Sequence, residues 1–84
     1  MKINAIVIDP KDNVATATRA IEKGEAIVGA LKGEIRAAEP IPRAHKVAIV
    51  RIPGGGPILK YGEPIGLAAG KIRAGMHVHT HNVR

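Results

Sequence analysis

Residues 21–27 read "IEKGEAI", residues 52–58 "IPGGGPI" and residues 72–78 "IRAGMHV". All three share the pattern Ile-x-x-Gly-x-x followed by Ile or Val. A tight turn closed by Gly and followed at once by a strand accounts for each copy. The Ile plugs a core before the turn, and the last apolar residue returns to that core. The copies lie about 31 and 20 residues apart, so this is a repeated local device and not the fixed period of a solenoid. A chain put together from such turns and short apolar returns is a β protein.

The flanking segments extend this reading. "INAIVI" (3–8) is rich in β-branched residues and reads as a buried strand, stopped by the turn residues of "DPKDN". Asp12 or Asn13 is placed to cap a short helix through "VATATRAIEK", with Gly24 at its end, although Val14, Thr16 and Thr18 favour strand. Six further apolar stretches broken by Gly and Pro follow: "EAIVGAL", "EIRAAEPI", "HKVAIVRI", "PILKYG", "PIGLAAG" and "MHVHTHNV". The expected architecture is one domain over residues 1–84, mostly β, with many short strands and one short helix.

At 84 residues the chain buries only about 60% of its unfolded surface, so marginal stability or a partner is expected. Without cysteine, no disulfide framework, thiolate metal site or Cys nucleophile is available. The longest apolar runs, such as "AIVI" and "VAIV", are far too short to span a bilayer, and "MKINAIVIDP" does not read as a secretory signal. A cytoplasmic protein is the expectation. The net charge of +6 suggests an anionic partner: nucleic acid, an acidic protein surface or small anionic substrates. Nucleic acid ranks last of these, because Tyr61 is the only aromatic side chain on which a base could stack and the basic residues are scattered.

The chemistry concentrates at the end of the chain, in "MHVHTHNVR" (76–84). His77, His79 and His81 alternate, so on a strand they share a face opposite the inward-pointing Val78. Two imidazoles at i and i+2 can reach one divalent ion. The third ligand would come from His45, from a carboxylate or from another chain. The plainer alternative is the solvated side of a last strand. In "PRAHKVA" (42–48), His45 and Lys46 stand at a strand entry and face opposite ways. "LKYGEPIG" (59–66) gathers Lys60, Tyr61 and Glu63 around a Gly, with Lys60 suited to bind a carboxylate as a point charge and Tyr61 a core-edge ring with a wet hydroxyl. "PGGGP" (53–57) lacks the Gly-Lys-Ser/Thr ending of a phosphate loop and reads as a turn.

The ordered series "DNVATA", "IEKGE", "PRAHKVAI", "ILKYGEPIG" and "HVHTHN" resembles a known family over nearly the whole chain, from about Asp12 to Asn82. It is similar to the small subunit, or fused N-terminal domain, of altronate and galactarate dehydratases, a group that includes the sulfolactate sulfo-lyase alpha subunit. The resemblance implies an SAF domain of β-clip type and lyase chemistry on anionic hydroxy acids, sugar acids or sulfolactate. It also implies a divalent metal cofactor, iron or a similar ion, and a separate large catalytic subunit, with a homo-oligomer as a further option. His79 and His81 match the histidines of the family ending and are the implied metal ligands. Asn82 is the implied substrate contact, and His45, Lys46, Lys60 and Tyr61 the implied catalytic surface. Two departures stand out. Ala44 replaces a usual Gly before His45-Lys46, and His77 is extra to the common pattern and is assigned no role. The alternative from another class is a non-catalytic binding or interaction module on the same fold.

Overall fold

The turn device recurs four times, not three. A computed structural model describes residues 2–29 and 33–84, and within them eight short strands form and no helix. The additional copy is "IPRAHKV" (41–47), in which Ala44 stands where the others have Gly. The backbone confirms the equivalence, with φ of 84° at Gly24, 71° at Ala44, 79° at Gly55 and 92° at Gly75. Each turn is closed the same way: Glu25 N–H donates to Glu22 O at 3.0 Å, His45 to Pro42 at 3.1 Å, Gly56 to Pro53 at 2.8 Å and Met76 to Arg73 at 3.1 Å. Positive φ at the third residue is the geometry of a type II turn. Gly adopts it freely, whereas Ala does so at a cost of about 1 kcal/mol.

The left-handed residue of each turn also donates its N–H to the carbonyl of a buried alanine. Gly24 bonds Ala37 at 2.7 Å, and the distance is 2.8 Å from Ala44 to Ala17, from Gly55 to Ala68 and from Gly75 to Ala48. Each of these alanines lies four residues before the isoleucine of a turn. The full unit is therefore Ala-x-x-x-Ile-x-x-(Gly/Ala)-x-x-(Ile/Val), and the units work in reciprocal pairs. Unit 17–27 pairs with unit 37–47, and unit 48–58 with unit 68–78. At each pair's centre the isoleucines exchange both backbone bonds, Ile21 with Ile41 at 2.8 Å each way and Ile52 with Ile72 at 2.8 and 2.9 Å.

Each pair closes its own small core. One holds Ala17, Ile21, Ile27, Ala37, Ile41 and Val47, joined by Ala5 and Ala15. The other holds Ala48, Ile52, Ile58, Ala68, Ile72 and Val78, joined by Val14. Fully burying one such isoleucine stabilises the fold by roughly 1.5–3 kcal/mol.

A four-stranded antiparallel sheet lies between the two cores, in the order β1 (Ala5–Ile6), β2 (Val14–Ala17), β5 (Lys46–Ala48) and β8 (His77–Val78). Two hairpins flank it: β3 (Ala26–Ile27) with β4 (Ile35–Arg36), and β6 (Pro57–Lys60) with β7 (Glu63–Leu67). The expected helix over residues 14–23 is replaced by β2. Val14 and Ala15 enter different cores, which period-two alternation permits, and the β-branched Val14 and Thr16 suit a pleated surface. The expected strand over "INAIVI" shrinks to β1 and is buried on one side only. Ala5 and Asn4 point inward, whereas Ile3, Ile6 and Ile8 are 64%, 46% and 53% exposed at the sheet's edge. The other expected strands appear in shortened form, and the end of "EAIVGAL" falls on residues 30–31, outside the described residues.

The helix caps expected at Asp12 and Asn13 hold the β6–β7 hairpin instead. The carboxamide of Asn13 accepts from Leu59 N–H at 2.8 Å and donates to Pro57 O at 2.9 Å. The buried carboxylate of Asp12 accepts N–H groups from Asp9 and Tyr61, each at 3.1 Å, and from Gly62 at 2.8 Å. Burial by itself raises its pKa, but these peptide donors outweigh burial and hold the carboxyl below its ordinary 3.8. The turn it grips has φ of 58° at Tyr61 and 73° at Gly62, the two positive values of a type I′ hairpin. Among the described residues, no helix is long and apolar enough to cross a membrane.

Two sets of substitutions check this account. Ala44→Gly relieves the left-handed alanine and is expected to stabilise by about 0.5 kcal/mol, after allowing for the added entropy of the unfolded chain. Gly55→Ala, where an added Cβ meets nothing, is expected to cost about 1 kcal/mol. Gly75→Ala is expected to cost clearly more, because its Cβ would sit 2.2 Å from Arg36 O. Denaturant unfolding of the three variants gives the order, and equal costs at 55 and 75 would contradict the packing described. For Asp12, a depressed native pKa means stability that is fully present above the unfolded value of about 3.9 and is lost as pH falls from there through the lower native value. Asp12→Asn is expected to cost about 2 kcal/mol at neutral pH, and its deficit against wild type should shrink as the pH is lowered below about 4.

Candidate metal centre at the edge of the sheet

The second and fourth turns place the histidines. The β5–β8 register pairs Lys46 with Val78 and Val47 with His77, and continuing it sets His45 opposite His79. His45 follows the left-handed Ala44 directly, so its imidazole is set by the turn itself. Val78 points into one core, and His77 and His79 take the opposite face, as the alternation in the sequence implies.

Three imidazoles meet there. His45 Nδ1 and His77 Nε2 are 2.8 Å apart, sharing one proton in a hydrogen bond. The rings of His45 and His79 stack with centroids 4.1 Å apart, and those of His45 and His77 with centroids 5.1 Å apart. One ring nitrogen from each of His45, His77 and His79 lies within 4.8 Å of the others, and all three side chains are half-buried. His81 stands outside this group. It is exposed, and its ring is tilted 36° against that of His77 at 5.3 Å.

Electrostatics favours neutral imidazole. Burial lowers the pKa of His77, and the neighbouring His45, His81 and His79 lower it further, against an opposing pull from Glu39. His79 is lowered by burial and by His45, Lys46 and His81. Neutral imidazole is the form that ligates metal. With bonds of about 2.0–2.1 Å, ligands in a tetrahedral shell stand roughly 3.3 Å apart. The His45–His77 pair would need to open by only about 0.5 Å for nitrogen ligation at that bond length. Three nitrogen donors with open positions beyond them suit a borderline divalent ion.

The strand does not carry the histidine row to its end. After Val78 the chain turns, with Asn82 N–H donating to His79 O at 3.1 Å. The Asn82 carboxamide accepts from His79 N–H at 2.9 Å and donates to His77 O at 2.9 Å, so both of its ends are engaged by the main chain. On the other side, a Glu39 carboxylate oxygen accepts His77 N–H at 3.0 Å. Lys46 faces away from His45 along β5, yet its charge still reaches His79. Lys60 and Tyr61 sit at the tip of the β6–β7 hairpin, with the Lys60 ammonium 4.9 Å from the centre of the Tyr61 ring. Among the described residues, no hydrogen bond or ring contact joins that tip to the imidazoles. Tyr61 is 60% exposed.

The structure thus joins His45 and His79, as the sequence suggested, and adds His77 where the family pattern pointed to His81. The signal for His77 was present in the alternation of "HVHTH", since residues 77 and 79 must share a face wherever the segment is extended. Glu39 carries no such signal. It lies at a variable position of unit 37–47, and only folding brings it beside His77.

Comparison with known proteins agrees with this fold. Altronate dehydratase of Bacillus subtilis is 42% identical over 79 residues, which cover 94% of this chain and 16% of that protein. Altronate dehydratase of Escherichia coli is 39% identical over the same length and share. The (2R)-sulfolactate sulfo-lyase subunit alpha of Chromohalobacter salexigens is 32% identical over 90 residues, covering all of this chain and 96% of that subunit. The chain therefore spans about a sixth of the dehydratases it matches and nearly the whole of a lyase subunit. The family model for the altronate/galactarate dehydratase SAF domain matches residues 3–84, and this chain belongs to that family.

Proposed function

We propose that this chain is the small component of a hydroxy-acid lyase and lends its imidazole centre to an active site completed by a larger catalytic chain. The observation that carries the reading is the convergence of His45, His77 and His79 on one half-buried spot at the edge of the sheet. The relatives support the setting, since they are named as dehydratases and as a sulfo-lyase subunit. The proposed substrate is an anionic hydroxy acid, in keeping with the chain's net charge of +6.

In this reading the three imidazoles would hold a divalent ion, iron or one like it, through neutral nitrogens. The chemistry such an ion supplies when bound is Lewis-acid polarisation of a carboxylate and its neighbouring hydroxyl, which makes the hydroxyl a better leaving group. Lys46 adds positive charge beside His79 and favours an anionic substrate there. The outward face of the centre leaves room for the substrate between this chain and its partner. Lys60 and Tyr61 lie on a separate hairpin, and we assign them contact with the substrate or the larger chain from that side. His81, exposed beside His77, is assigned to the outer rim. The base that removes the α-proton is assigned to the larger chain.

Reconstitution with the large catalytic chain tests this. His45→Ala and His79→Ala are each expected to lower kcat/KM by about 100-fold or more while leaving the denaturant midpoint near that of wild type. Chelation should abolish activity, and a divalent ion should restore it. Full activity in both variants would return the chain to the role of a non-catalytic interaction module.

A further inference from the structure

The imidazoles are carried by an edge strand, which raises the question of what holds that edge still. In an antiparallel ladder alternate residues turn their N–H and C=O groups away from the partner strand. On β8 the bridge to Lys46 is made at Val78, so the peptide groups of His77 and His79 face outward. An outward edge of this kind is normally left to water or to another chain. Here it is closed by two side chains. Glu39 accepts His77 N–H at 3.0 Å, and Asn82 donates to His77 O and accepts from His79 N–H, each at 2.9 Å.

We infer that Glu39 and Asn82 are positioning residues that clamp the His77–His79 segment and thereby fix the geometry of the imidazole centre. The inference rests on the proposed metal reading for its consequence but not for its geometry. The two side chains come from opposite directions in the chain. Glu39 lies just before the second turn, the turn that sets His45, so it ties the His45 side of the centre to the His77 side. Asn82 closes the turn that ends β8. Together they engage three peptide groups that the sheet leaves open, on the two residues whose rings must hold their relative places. The inference also gives Asn82 a different role from the substrate contact that the resemblance implied, because both ends of its carboxamide are already occupied by backbone. For Glu39 the hydrogen bond matters more than the charge, since Gln offers an oxygen at the same reach.

The test compares wild type, Glu39→Ala, Glu39→Gln and Asn82→Ala by cobalt(II) titration, denaturant unfolding and hydrogen exchange of the His77 and His79 amides. Glu39→Ala and Asn82→Ala are each expected to weaken cobalt binding about 10-fold or more, the usual effect of losing a group that orients a ligand. Glu39→Gln should recover most of that loss. In the metal-free protein Glu39→Ala should speed exchange at His77, and Asn82→Ala at His79, with the global unfolding midpoint changed far less. Should wild type bind no cobalt, the metal reading fails on its own, and amide exchange still decides the clamp. Unchanged exchange and unchanged cobalt affinity in the Ala variants would overturn the inference. So would an Asn82→Ala variant that raises KM in the reconstituted enzyme with cobalt affinity intact, because that pattern belongs to a substrate contact.

Discussion

The structure depends on one hydrogen bond made four times: the N–H of a left-handed turn residue donated to the carbonyl of a buried alanine in the paired unit. It works because two conditions meet. The turn residue must accept positive φ to aim its N–H inward, and the alanine must be small enough to bring its backbone into the core. With both satisfied, each unit caps the other and the two isoleucines meet between them. A chain of this size has little apolar surface to bury, and reciprocal capping lets it build two small cores while pairing the inward peptide groups of its turns.

That constraint also explains where the chemistry collects. His45 belongs to the second unit and His77 to the fourth, and these units serve different cores. The β5–β8 ladder joins them, helped by the Ala38 N–H to Gly75 O bond at 2.8 Å and by Glu39 on His77. The centre therefore sits on the seam between the two cores, where side chains are half-buried and the edge strand leaves space beyond. Such a position desolvates His77 and His79 enough to favour their neutral form. The one unit whose turn lacks Gly is the unit that carries His45. The left-handed backbone of Ala44, which the turn itself requires, therefore stands directly beside the imidazoles.

Much of this could be read in advance, for identifiable reasons. The Ile-x-x-Gly pattern was visible in three copies because Gly marks positive φ, and the fourth was hidden because Ala44 adopts that φ without announcing it. The helix expected over residues 14–23 followed from Asp12, Asn13 and Gly24, residues that cap helices and close turns alike. Their partners, Leu59, Pro57, Tyr61, Gly62 and Ala37, lie far away in sequence, and local signals carry no trace of them. Ile3, Ile6 and Ile8 were expected inside for their composition, yet they flank a strand at the sheet's margin where one side has nothing to pack against.

For the site, the sequence by itself determined that His77 and His79 share a face opposite Val78, because period-two alternation follows from the pleat wherever the chain is extended. It also carried the family pattern through His45, His79, His81 and Asn82. Only the tertiary structure decided that His45 is the third member, that His81 stands outside, and that Glu39 and Asn82 close the open edge. The register and the Glu39 contact are set between residues 30 to 38 positions apart, and the turn after Val78 by Asn82 bonds three and five residues back. Local sequence dictates which way a side chain points from its own backbone. Which other side chains it meets is fixed only when two distant turns are locked to the same pair of cores.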